Sequence, residues 1–119
     1  MAVRERGTVY GLAAVDGRGR IADHQVMTAL GWLPGTRLDI RECEGLVLVA
    51  ANRHGVFAMT SQGHLRLPGT VRHWCRLAPG ERVLLAAHPA EGRLVVYPPA
   101  AVDAMIAQFH ASMPGGEAP

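Results

Sequence analysis

The feature that most restricts how this chain can fold is an imperfect internal repeat. Val9 to Ala50 reads VYGLAAVDGRGRIADHQVMTALGWLPGTRLDIRECEGLVLVA, and Gly55 to Pro98 reads GVFAMTSQGHLRLPGTVRHWCRLAPGERVLLAAHPAEGRLVVYP. Gly19-Arg20-Ile21 aligns with Gly63-His64-Leu65 at an offset of 44, Pro34-Gly35 with Pro79-Gly80 at 45, and Glu44-Gly45 with Glu91-Gly92 at 47. The drift places the length changes in loops, where added residues cost little closure entropy. A unit of about 42 residues is too small to bury the faces of its own sheet. Two such units must complete each other, which predicts one pseudo-two-fold domain.

Each half shows the same succession of elements, β-β-α-β-β. In the first, the apolar run 9–15 ends at Asp16-Gly17-Arg18-Gly19, a turn rich in residues that tolerate positive φ. A short strand at 20–22 follows, then a helix that Asp23 can N-cap and Gly31 can close, with Val26, Met27 and Leu30 on one face. After the Pro34-Gly35 turn come two strands joined at Glu44-Gly45. In the first of these Leu38, Ile40 and Cys43 alternate with Arg37, Asp39 and Arg41, the pattern of a half-buried strand. In the second half GVFAMT and HLRL flank the turn Ser61-Gln62-Gly63, Pro68 opens a helix reaching Cys75, and RVLLAAH and RLVVYP form the last hairpin. The expected organisation is therefore an arm at 1–8, repeats at 9–52 and 53–98, a helix at 99–111 and a disordered tail at 112–119. In the helix Val102, Met105, Ile106 and Phe109 fall at i, i+3, i+4 and i+7, an apolar stripe that must be covered by the protein itself, a second copy or a partner.

Composition is that of a globular chain, 49% apolar and 18% charged. No apolar run approaches the ~18 residues of a membrane span, and Met1–Thr8 lacks the apolar core of a secretory signal, so a cytoplasmic location is expected. Cys43 and Cys75 have no CxxC spacing and read as small buried or half-buried thiols. All twelve basic residues are Arg. They balance the acids up to residue 52, whereas 53–76 holds Arg53, Arg66, Arg72 and Arg76, with His54, His64 and His73, and no acid. A basic stretch confined to one part of the chain points to a polyanion.

These residues also resemble a known pattern. Asp16-Gly17-Arg18-Gly19-Arg20-Ile21, Leu30-Gly31-Trp32 and Pro34-Gly35-Thr36-Arg37-Leu38 in one half are similar to motifs of the AbrB/MazE/SpoVT family. So are Gly63-His64-Leu65-Arg66-Leu67-Pro68 and Leu77-Ala78-Pro79-Gly80-Glu81-Arg82-Val83 in the other. Two copies in one chain look like the arrangement of the MraZ proteins. The resemblance implies a double-psi, swapped-hairpin β-barrel that binds double-stranded DNA as a transcription regulator, with self-association into dimers or larger assemblies and a nucleoid-associated location. It places Arg18 and Arg20, then Gln62, His64 and Arg66, on the DNA-facing loops and strands, and Arg72 and His73 on the matching helix; Arg53 joins them through its place in the basic stretch. The first copy departs from the pattern, having Ala22-Asp23-His24 in place of Leu-Pro, and Met27-Thr28 where the second offers Arg72-His73. Unequal DNA surfaces follow.

The remaining residues have plainer readings. Trp32, Trp74, Tyr10 and Phe57, with Met27, Met59 and Met105, are expected in the core. Arg37 and Arg82 follow Pro-Gly turns and read as structural or surface residues, while Arg4 and Arg6 form a short basic arm that could add phosphate contacts. His64, His73 and Cys75 match no zinc spacing, and no nucleophile elbow or phosphate-binding loop occurs, so neither metal, cofactor nor enzymatic activity is expected. The alternatives to a regulator are an antitoxin whose C-terminal helix binds a toxin, and an interaction module that has lost its DNA contacts.

Overall fold

The computed structural model describes residues 7–114. Its elements, in order, are β1 (Val9–Ala14), β2 (Arg20–Ile21), α1 (His24–Leu30), β3 (Arg37–Cys43), β4 (Leu46–Ala51), β5 (Phe57–Ala58), β6 (Leu65–Arg66), α2 (Gly69–Trp74), β7 (Arg82–His88), β8 (Arg93–Tyr97) and α3 (Pro99–Ala111). Six strands form an antiparallel sheet in the order β1-β7-β8-β4-β3-β5, and β2 pairs with β6 as a separate ribbon. Exchanging β1 with β5, β3 with β7 and β4 with β8 reverses that order onto itself.

The order means that neither half uses its own first strand. β1 pairs with β7, Val9 opposite Ala87 through Ala14 opposite Arg82. β5 pairs with β3, Arg37 opposite Ala58 and Leu38 opposite Phe57. Hydrogen bonds in the loops repeat the crossing. Val15 N–H donates to Glu81 O (2.9 Å) and Gly80 N–H to Val15 O (2.7 Å), while Met59 N–H donates to Thr36 O (2.9 Å) and Gly35 N–H to Met59 O (3.0 Å). β4 and β8 join the halves at the centre of the sheet, Val47 opposite Val96 to Ala50 opposite Arg93.

Local chemistry sets the ends of the elements. Asp23 accepts from Val26 N–H at the start of α1, and Gly31 in the left-handed region closes it. One core lies between the sheet and the layer of α1, α2 and ribbon: Ile21, Leu38, Leu65, Leu67, Leu85 and Leu94 are fully shielded from solvent. Gly55 marks a close approach, since a Cβ there would stand 2.2 Å from the Leu38 carbonyl oxygen.

Several expectations need correction. The sheet does not close into a barrel: β1 and β5 are its two edges, and β2 and β6 pair only with each other. Trp74 is 72% exposed and Tyr10 60%, so neither is a core residue, whereas Trp32, Met27 and Met59 are buried. In β1 it is Val9, Gly11 and Ala13 that turn inward, which sends Tyr10 and Leu12 out. Met105 is also exposed, because α3 meets β7 and β8 mainly through its first turn, where Ala101 and Val102 are half-buried beside buried Pro98. Ile106 and Phe109 remain open to solvent, at 49% and 65%. α3 itself spans Pro99–Ala111, the range expected for it. The expected arm lies outside the described residues except for Gly7 and Thr8, and the expected tail except for Ser112–Pro114.

A Gly55→Ala variant is expected to lose roughly 1–3 kcal/mol of stability, because the clash is with backbone that cannot move aside. Gly17→Ala, where an added Cβ meets nothing within 4 Å, should change stability by less than about 0.5 kcal/mol. Urea unfolding of the two variants checks the pair.

Candidate nucleic-acid interface

The ribbon exists because the two short strands, each too brief to stand alone, meet across the pseudo-two-fold. Arg20 faces Arg66, and Ile21 faces Leu65. Ile21 and Leu65 are buried, anchoring the ribbon to the core, so the neighbouring residues of this two-residue register point outward. Each ribbon strand is entered through a turn that needs positive φ, at Gly19 (φ 80°) and Gly63 (φ 78°).

Three arginines meet here, and each is oriented through its Nε–H. Arg20 Nε donates to Asp16 Oδ2 at 2.6 Å, Arg66 Nε to the Arg18 carbonyl at 3.1 Å, and Arg72 Nε to the Leu67 carbonyl at 3.2 Å. Arg72 also lies across the turn of the other half, since a Cβ at Gly19 would stand 2.5 Å from its Nε. Among the described residues these contacts leave the terminal guanidinium nitrogens for an outside acceptor. Arginines held in this way lose less freedom on binding, and their planar forks match phosphate oxygens. Arg18, exposed in the first turn, adds a fourth positive charge.

The two turns are built alike with different chemistry. Asp16 Oδ1 accepts from Arg18 N–H (2.9 Å) and Arg20 N–H (2.8 Å). At the matching place Thr60 Oγ1 accepts from His64 N–H (3.0 Å). Asp16 is an acid and is held ionised: the Arg20 N–H first, then the Arg20 guanidinium and the Arg18 N–H, lower its pKa from 3.8 to about 2 against the opposing effect of partial burial. The first turn thus neutralises part of its own charge, and the second, built on the Thr60 hydroxyl, does not.

Of the residues expected at a DNA surface, Arg18, Arg20, Arg66 and Arg72 come together at the ribbon. Gln62 is exposed on the second turn and His73 on α2. His64 turns its Nδ1 inward, where the atom is shielded and meets no partner among the described residues. Arg53 does not join them. It sits in the link between β4 and β5, beside Asn52, whose side chain bonds Asp39. Arg37 is structural, its Nε donating to the Gly55 carbonyl at 2.9 Å. Arg4 and Arg6 lie outside the described residues.

The sequence placed Trp74 in the core and counted Arg76 only within the basic stretch, and assigned neither to the DNA-facing surface. Both line an open cleft of about 650 Å³ with Arg72 and His73. Arg76 occupies the left-handed region (φ 53°) at the position where α1 ends in Gly31 (φ 72°). An arginine at the place of an expected helix-closing glycine was the available signal. Among the described residues no group of His, Cys, Asp and Glu could hold a metal ion, and no helix is long and apolar enough to cross a membrane. Burial, then the Glu42 charge, raises the Cys75 thiol above 9.0, which disfavours the thiolate there.

No family model matches the chain, and neither a curated protein nor a solved structure matches it.

Because Asp16 has a depressed pKa when folded, its stabilisation is complete above its ordinary value of 3.8 and is lost as the pH falls toward about 2. The difference in thermal midpoint between the wild type and Asp16→Ala should stay constant down to pH 3.8 and close between there and pH 2. A difference still intact at pH 2 would contradict the assignment.

Proposed function

We propose that this protein is a DNA-binding transcription regulator that meets double-stranded DNA with the β2–β6 ribbon and the exposed side of α2. One observation supports the reading above the others: Arg20, Arg66 and Arg72 are each fixed through Nε beside a glycine turn, with no partner on their terminal nitrogens among the described residues. Such a surface engages two phosphate rows or one groove edge, and the guanidinium fork suits both phosphate oxygens and the O6/N7 edge of guanine. The tandem motifs add the resemblance to the AbrB/MazE/SpoVT family, and the exchange of first strands between halves is compatible with its swapped-hairpin, double-psi architecture. A nucleoid-associated, cytoplasmic protein belongs to the same proposal.

The two ends of the surface are unequal. Asp16 offsets Arg20 in the first half, and α1 offers Met27 and Thr28 where α2 offers Arg72 and His73. Stronger contact through the second half follows, with a DNA site that is not a perfect palindrome.

The exposed stripe of α3 favours one second reading. Met105, Ile106 and Phe109 would suit a second copy, or a toxin-like partner of an antitoxin, with the ribbon then secondary.

Fluorescence anisotropy with a duplex from upstream of the protein's own gene, at two salt concentrations and against scrambled competitor, tests the proposal. Specific binding should weaken with salt, and Arg66→Ala/Arg72→Ala should reduce it by ~10-fold or more and lower the log–log salt slope by about 2. Absence of binding at low salt would remove the assignment for that promoter and transfer attention to α3.

A further inference from the structure

We infer that the cleft at the C-terminal end of α2 binds an unpaired nucleotide, its base stacked on Trp74 and its phosphate held by Arg72 and Arg76. The site goes beyond duplex binding: it shares Arg72 with the ribbon and needs none of the ribbon's other residues.

The pseudo-two-fold supplies an internal control. The backbone closes α1 and α2 in the same way: Gly31 N–H donates to Thr28 O and Trp32 N–H to Met27 O, as Arg76 N–H donates to His73 O and Leu77 N–H to Arg72 O. At equivalent positions the first half has Met27, Thr28, Ala29 and Gly31, and the second has Arg72, His73, Trp74 and Arg76. Folding does not require the second set, since the first closes its helix with a glycine and a small alanine. Two of the substitutions work against folding. Arg76 takes a left-handed conformation that glycine adopts without strain, and Trp74 is left 72% exposed. Strain and an exposed indole at one spot, absent from the equivalent spot, indicate a ligand that repays them.

The chemistry of the cleft specifies that ligand. Its volume, about 650 Å³, is within the range of small-molecule sites, roughly 300–1,000 Å³. Arg72, His73 and Arg76 line it with buried Leu77, and no carboxylate does, so the ligand is an anion. His73 meets Trp74 edge-on, with ring centroids 6.5 Å apart and planes at 74°. A flat, aromatic anion satisfies both the indole and the guanidinium groups, as a base with its phosphate does. A base inside a duplex has both faces covered by its neighbours, so the stacked base is unpaired. It belongs either to a free mononucleotide or to a single-stranded stretch.

Tryptophan fluorescence reads the site directly, because Trp32 is only 5% exposed and serves as a shielded background. The full chain is titrated with guanosine monophosphate, a short single-stranded oligodeoxynucleotide, guanosine and inorganic phosphate. Saturable quenching by the mononucleotide, weaker with guanosine or phosphate alone, supports the inference with a free nucleotide as ligand; quenching by the oligonucleotide only supports it with a single strand. Anisotropy of the labelled form of the quenching ligand then measures the variants. Trp74→Ala should weaken binding about 10-fold, and Trp74→Phe should retain most of it. Arg76→Gly should weaken binding while raising the thermal midpoint, so its loss of affinity is not a loss of folding. Arg66→Ala, which impairs the proposed duplex surface, should leave nucleotide binding unchanged. The inference is overturned if no ligand quenches saturably, if phosphate alone matches the nucleotide, or if Arg76→Gly binds like the wild type.

Discussion

Everything in this structure depends on the exchange of first strands between the two halves. β1 completes the sheet beside β7, and β5 completes it beside β3, so each half lacks an edge that only the other supplies. The same crossing brings β2 to β6, which no single half could pair. A two-residue strand has too little hydrogen bonding to persist by itself; this ribbon persists because Ile21 and Leu65 sink into the shared core. The polar surface is thus a by-product of the packing. Where the core forces two buried side chains together, the arginines alternating with them are forced together outside it.

That arrangement explains why the surface is both basic and ordered. Bringing Arg20 opposite Arg66 is unfavourable between like charges, and two local acceptors offset it, the Asp16 carboxylate for Arg20 and the Arg18 carbonyl for Arg66. An outside anion would relieve what remains of the repulsion. The symmetry is one of backbone and not of chemistry. Asp16 matches Thr60, Met27 matches Arg72, and Gly31 matches Arg76, so one fold presents two ends of different charge. Divergence of this kind lets one end specialise while its counterpart preserves the fold.

Much of the architecture was legible in the chain itself. Turns stood out because Asp16-Gly17-Arg18-Gly19, Pro34-Gly35 and Pro79-Gly80 leave few backbone alternatives, and the Asp23 cap with Gly31 bounded α1 closely. Leu38 and Ile40 alternated with charged residues, so the buried face of β3 was readable. β1 was not, because VYGLAAV is apolar on both faces and its parity is set by Gly11, which faces Asp23 and Val26 closely. Trp74 was misplaced for a related reason. α2 has only six residues, and its core contact is made by Val71 and Cys75, leaving the largest side chain outside. The open sheet could not be read at all, since barrel closure depends on how far the edge strands reach, and β5 is two residues long. At the candidate site, the arginines were visible as a charge pattern, whereas their fixation through Nε arises from contacts between positions as far apart as 18 and 66.

On the proposed function, the ribbon and α2, rather than the sheet or α3, meet nucleic acid. Mapping amide shifts by two-dimensional NMR during titration with an upstream duplex at low salt tests it most directly. Shifts are expected at Arg18–Ile21, Leu65–Arg66 and Arg72–Arg76, with Leu48, Val95 and the α3 stripe unmoved. Shifts confined to α3 or to the sheet, or none at any residue, would contradict it.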